Sequence, residues 1–266
     1  MHRSRRRLAD FPFWLLAIAL LGVLTLWAIV ANEDYARIFG ALVGGMATTL
    51  WVTLVAFALA ALLGLGLALL RTSGQPVLVQ LATFYTELIR GIPILVFLFY
   101  TAFVGAPATI VAANWLTHPL QLLGWMPVLT VRNFDLTWRA IIALTICYSA
   151  FLSEVFRAGI EAVPAGQLEA ARALGLHRSQ IARHIVAPQA FRIILPPLGN
   201  DFVSMIKDSA LVSSLGVQDI TQLGKVYSAS TFKFFETYNV VAFLYLTMTI
   251  SLSLVVRYIE RRLRRY

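Results

Sequence analysis

Met46-Ala47-Thr48-Thr49-Leu50-Trp51-Val52-Thr53-Leu54-Val55-Ala56-Phe57-Ala58-Leu59-Ala60-Ala61-Leu62-Leu63-Gly64-Leu65-Gly66-Leu67-Ala68-Leu69-Leu70 runs without a charge until it meets Arg71. A helix rises about 1.5 Å per residue, so roughly 20 apolar residues cross a hydrocarbon core about 30 Å thick. This stretch is long enough to span. Working outward, comparable runs lie at about 13–31, 78–103, 138–157, 190–212 and 238–257. The expected fold is therefore all-α, a polytopic transmembrane bundle of about six spans. Composition agrees: 59% of residues are hydrophobic and 13% charged, against roughly 25% charged in soluble domains.

The net charge of +9 would point to nucleic acid in a soluble protein, so the placement of the charges decides. Lys and Arg gather in cytoplasmic loops of membrane proteins. With the N-terminus inside, the cytoplasmic pieces hold Arg3, Arg5, Arg6, Arg7, Arg71, Arg157, Arg172, Arg178, Arg183, Arg192, Arg257, Arg261, Arg262, Arg264 and Arg265, which is 15 of the 22 basic residues. The opposite side has Arg37, Arg132, Lys207, Lys225 and Lys233, offset by six carboxylates. Both termini are expected in the cytoplasm, with no nucleic-acid partner. The first run is too long for a signal-peptide core of 7–15 residues, and Ala31-Asn32-Glu33 is not a small-residue cleavage site. It is expected to remain as a span.

Covalent chemistry finds no support. There is no G-x-S-x-G elbow and no H-E-x-x-H helix. His2, His118, His177 and His184 are scattered, and the single Cys147 lies in an apolar run as a packing residue. Gly224-Lys225-Val226 lacks both the spaced glycine and the hydroxyl of a phosphate loop. Neither a metal nor a cofactor is expected, and any energy source is an ion gradient or a separate ATPase.

One connection differs from the rest. Between the fourth and fifth runs, Gly166 to Leu174 is rich in helix formers and stops at Gly175, a residue that accepts positive φ. A second short helix is expected from about Arg178 to Ala187, with Ile181 and Ile185 on one face. Glu169-Ala170-Ala171, Gly175 after three intervening residues, Ile185 after nine more and then Pro188 resemble the EAA loop of bacterial ABC import permeases, EAA-x3-G-x9-I-x-L-P. Ala187 stands where that pattern has Leu. Ser153 to Ile160, Val163-Pro164, Leu195 to Phe202, Glu87 to Pro93 and Lys207 to Leu211 resemble the polar amino acid uptake branch. The resemblance covers about 41–260, apart from 104–137, which reads as an outer loop with interfacial aromatics.

That resemblance implies a type I ABC importer permease: residues 1–40 as an extra span with a basic tail, residues 41–266 as the transport domain, and a cytoplasmic coupling loop at about 158–189. It implies translocation of polar or charged amino acids across the inner membrane, as a multi-pass subunit with no catalysis of its own. The implied partners are ATP-binding cassette ATPase subunits, a periplasmic or extracellular binding protein, and a second permease copy or a related permease, all within membrane lipid. Glu169, Ala170, Ala171, Gly175, Ile185 and Pro188 would dock in the ATPase groove, with both alanines forming its small, close-fitting face.

Charged residues inside a span usually mark a pathway or a partner. Glu87 and Arg90 share a helix face at i,i+3; they neutralise each other or line a site. Gly91 and Pro93 allow the helix to open and free backbone groups for a zwitterion. Asn200 and Asp201 fall at a depth similar to Glu87 in another span. Glu154 beside Arg157 reads equally as an ion pair or a substrate contact, while Asp208 and Ser209 would line the outward gate. Phe97 stands where related permeases often carry Gln. The rival class is a secondary transporter that couples these carboxylates to an ion gradient.

Overall fold

The computed structural model describes residues 13–263; the basic residues at 3–7 and 264–265 lie outside them. Helix α1 (Phe13–Ala31) is followed by α2 (Glu33–Leu42) and the long α3 (Gly45–Arg71). Then come α4 (Pro76–Arg90), α5 (Ile94–Tyr100), α6 (Ala106–Leu122), α7 (Leu136–Glu161), α8 (Ala165–Ala173), α9 (Arg178–Ile181), α10 (Ala187–Asp208), α11 (Ile220–Thr231) and α12 (Phe234–Leu263). No strand occurs among the described residues.

Small residues set the centre of the bundle. On α3, Ala56, Ala60, Gly64 and Ala68 recur every four residues and are buried, which puts one narrow face toward α7. Without a hydrophobic drive between helices in lipid, small residues let backbones approach and gain van der Waals contact. A Cβ at Gly64 would lie 2.9 Å from the Ser149 carbonyl oxygen. Around this seam Val52, Leu98, Ile141, Leu144, Leu152 and Met205 form the main core, with Cys147 packed among them as expected. A second cluster joins Ile29 of α1 and Ile38 and Leu42 of α2 to Val240, Val241 and Leu244 of α12.

Among the described residues, four helical stretches are long and apolar enough to span: 33–71, 94–122, 136–161 and 234–262. The expected runs at 46–70, 138–157 and 238–257 fall inside three of them. The run at 13–31 is α1. The run at 190–212 is helical as far as Asp208, but Arg192, Asp201, Lys207 and Asp208 dilute it below that apolarity. The count of six is thus not reproduced by length and apolarity alone.

The expected 78–103 span needs correction. Helix α4 stops at Arg90, and the chain leaves helical geometry through Gly91-Ile92-Pro93 before restarting at Ile94. The restarted helix does not end near 103. It passes through α5 and α6 to Leu122, so half of the expected 104–137 loop is helix. The return is pinned by Asn114, whose Nδ2 donates to the Leu129 carbonyl at 2.8 Å and whose Oδ1 accepts from Leu129 N–H at 2.9 Å. Buried Arg139 adds a clamp, donating to the carbonyls of Phe134 (2.8 Å), Ala102 (3.2 Å) and Val131.

Two helices carry the same device. Thr101–Gly105 and Ala182–Val186 are π-helical turns, each followed by Ala-Pro: Ala106-Pro107 and Ala187-Pro188. Proline has no N–H and its ring crowds the carbonyl four residues back. Widening the preceding turn by one residue relieves that crowding without ending the helix.

Candidate functional site

The connection after α7 is built as a rigid turn. Helix α8 ends at Ala173 with Leu174 as its C-cap, and the next residue, Gly175, has φ +78°. Gly175 N–H donates to the Arg172 carbonyl at 2.9 Å and Leu176 N–H to Ala171 at 3.1 Å, the paired bonds of a Schellman cap that satisfy otherwise orphaned carbonyls. His177 then caps the next helix, with Gln180 returning a bond to the His177 N–H at 2.8 Å. The expected separate second helix is not separate. From Arg178 the chain stays helical through the π turn and Pro188 to Asp208. Gln189 Nε2 donates to Gln167 Oε1 at 2.7 Å, which ties α8 to this helix.

The loop residues divide by exposure. Glu169, Ala170, Gly175 and Pro188 are exposed, and Ile185 is half-buried. Ala171 does not share the expected face: it is 3% exposed and turned inward, because α8 needs one small residue where it lies against the chain. Leu174, at 81% exposure, is the apolar side chain the loop presents outward instead.

At the same end of the bundle five arginine and glutamate side chains converge. Glu154 Oε1 accepts from Arg71 at 2.6 Å, and Arg90 lies 3.5 Å from the same oxygen. Arg157 binds Glu154 Oε2 at 2.7 Å and Glu161 at 2.6 Å. Glu154 is thus the hub of an ion-pair network joining α3, α4 and α7. Arg90 also lies 5.8 Å from the Phe151 ring centroid. The expected Glu87–Arg90 pair is absent among the described residues, since Arg90 reaches across to α7 while Glu87 stays exposed. Sequence reasoning missed Arg71 because its partner is 83 residues away.

The third group lies on α7 and α10. Tyr148, itself buried, donates its hydroxyl to Asp208 Oδ2 at 2.6 Å, and half-buried Asp201 is close enough to act on that hydroxyl electrostatically. Asn200 is exposed beside it. Ser209 does not line an opening: it is fully buried, and its hydroxyl bonds the Ile206 carbonyl at 2.7 Å. Gly91 closes α4 with N–H to the Glu87 carbonyl at 3.0 Å, where a Cβ would sit 3.2 Å from that same oxygen. Pro93 opens the next helix. Phe97 packs in the core, which accounts for an apolar residue there. No group of three or more metal-ligating side chains occurs among the described residues.

Residues 60–265 match the family described as binding-protein-dependent transport system inner membrane component. This chain belongs to that family. Among its relatives, the "Probable glutamine ABC transporter permease protein GlnM" of Bacillus subtilis (strain 168) is 36% identical over 227 residues, which cover 85% of this chain and 95% of that protein. The glutamine transport system permease protein GlnP of Escherichia coli (strain K12) is 31% identical, over 84% and 93%. A solved chain of an amino acid ABC transporter with histidines superposes with a TM-score of 0.70 at 34% identity, over 88% of this chain and 98% of that one. The MetNI methionine ABC transporter shares the fold alone, at 20% identity and a TM-score of 0.66. The chain is therefore a multi-pass permease subunit of an ABC importer, a translocation component that works with a separate ATPase and a binding protein. Family membership decides against the ion-coupled alternative.

Proposed function

We propose that this permease carries polar or charged amino acids inward across the bacterial inner membrane, working as a pair of copies or with a related permease. The 162–189 connection faces the cytoplasm with both termini, and seats Glu169, Ala170 and Leu174 on the ATPase; the binding protein delivers substrate to the opposite face. Residues 1–40 form an added span, and 41–266 the transport domain. The alignment with the glutamine relative, which covers 95% of that protein but 85% of this chain, supports that division.

The observation that carries the substrate reading is the polar series Asp201, Tyr148 and Asp208 at the α7–α10 seam. Carboxylates held within an apolar bundle suit an ammonium group, since a charge inside a membrane protein is retained where it meets a partner or cargo. The break at Gly91–Pro93 and the exposed Glu87 and Asn200 complete the proposed path, whereas Glu154 and Arg90 hold helices together at its inner end. Asp201→Asn keeps the shape and removes the charge. Uptake of labelled neutral, acidic and basic amino acids by the reconstituted importer is expected to fall five- to a hundredfold for cationic and zwitterionic substrates, the effect of losing one charge-assisted bond, with basal ATP hydrolysis unchanged. An equal loss for every substrate with abnormal hydrolysis would make Asp201 a structural or coupling residue.

A further inference from the structure

The first helix is not packed along its length. Ile29, near its end, is buried with Val240, Val241 and Leu244 of α12. Toward its start α1 parts from α12 and leaves a groove lined by Ile18, Gly22, Leu246, Ile250, Leu254 and Arg257. A Cβ added at Gly22 would meet nothing within 4 Å. Apart from Thr247 and Ser251 the other lining side chains are apolar, and among the described residues the one charge on the walls sits at one end. Arg257 is exposed there and, among the described residues, has no acidic partner. Arg261 follows one turn later, and Arg262 is engaged by the Tyr258 ring at 5.1 Å.

We propose that this groove is a binding site for one anionic phospholipid, its acyl chain lying between α1 and α12 and its phosphate on Arg257. Length and charge select that occupant. From Phe243 to Arg257 the groove runs about 21 Å along α12 at 1.5 Å per residue, enough for a chain that fills half of a ~30 Å core. The groove is open along its side, so a chain can enter it from the surrounding lipid. The lone guanidinium at the mouth supplies the preference for an anionic headgroup, because Arg pairs with phosphate bidentately. Placement in the inner leaflet rests on the orientation proposed above; the site itself does not.

The test uses the full chain purified in detergent, with retained lipid counted by native mass spectrometry after exposure to phosphatidylglycerol or to phosphatidylcholine of the same acyl chains. The wild type is expected to keep one phosphatidylglycerol per chain in preference to phosphatidylcholine. Gly22→Phe fills the groove and should abolish retention of both. Arg257→Gln should reduce the preference about fivefold, the effect of one basic residue beside an anionic headgroup, while Arg257→Lys should keep most of it and so guards against a folding defect in the Gln variant. Equal retention of the two lipids by the wild type, or unchanged retention in Gly22→Phe, would overturn the proposal. So would efficient crosslinking between cysteines placed at Gly22 and Leu254 of different copies, which would show a second chain covering the groove. A reporter fused after Tyr266 tests the leaflet separately: an external signal would sink the orientation and leave the lipid site standing.

Discussion

The α3–α7 seam and the α1–α12 pair are both helix contacts within one membrane bundle, yet they are built on opposite terms. At the seam, small residues every four positions bring backbone against backbone, and a methyl group at Gly64 would lie only 2.9 Å from the Ser149 carbonyl oxygen. Along α1 large side chains such as Leu20, Leu24 and Trp27 stay more than half exposed, and Gly22 faces open space. Close packing is thus found along α3 and α7, while α1 is attached near one end. A glycine in an apolar helix carries no fixed meaning until the atoms facing it are known.

The sharpest way to break that contrast is to place the same side chain in both settings. Gly64→Leu is expected to destabilise by about 3 kcal/mol or more, because the seam would have to part along two helices. Gly22→Leu should change stability by less than about 0.5 kcal/mol. Thermal unfolding of the two variants in detergent, followed by far-UV circular dichroism, checks the pair; similar losses would show that α1 packs as tightly as α3.

The distinction between interior and surface can be sharpened with charge. Glu154→Gln strands Arg71 and Arg157 at a partly buried junction, and should cost about 2 kcal/mol. Glu33→Gln, at the exposed Glu33–Arg37 pair, should cost less than about 0.5 kcal/mol. Denaturation midpoints of both variants against the wild type provide the measurement, and equal shifts would refute the hub at Glu154.

A more local effect is expected at the loop turn. Gly175→Val meets no neighbour but must hold φ +78°, which costs a β-branched residue about 1–2 kcal/mol. Membrane insertion should survive while co-purification of the ATPase subunit falls several-fold. Normal association would mean that the turn does not aim the loop.

Much of this was legible in the sequence because it depends on local chemistry. Uncharged runs located the helices, Gly91 and Pro93 marked the break, and Gly175 marked the turn. The failures came where a distant partner or a compensating distortion decided the outcome. Arg90 was matched to Glu87 by helical spacing, but the long guanidinium reaches Glu154 on α7, where Arg71 and Arg157 already fix the carboxylate. Residues 106–122 read as loop because Asn114, His118 and Pro119 dilute their apolarity; hydrogen bonds from Asn114 to Leu129 absorb that polarity in the fold. Pro188 reads as a helix boundary in sequence, since nothing local announces the π turn that lets the helix continue.

That continuity makes the loop and the polar seam two ends of one rod. From Arg178 to Asp208 the helical path is about 45 Å at 1.5 Å per residue, with Leu176 at its near end and the Tyr148 contact at its far end. Tilting such a rod by about 5° about one end sweeps the other through about 4 Å, more than the length of the Tyr148–Asp208 hydrogen bond at 2.6 Å. A swing of a few degrees about the loop end would therefore be large enough to make or sever that bond.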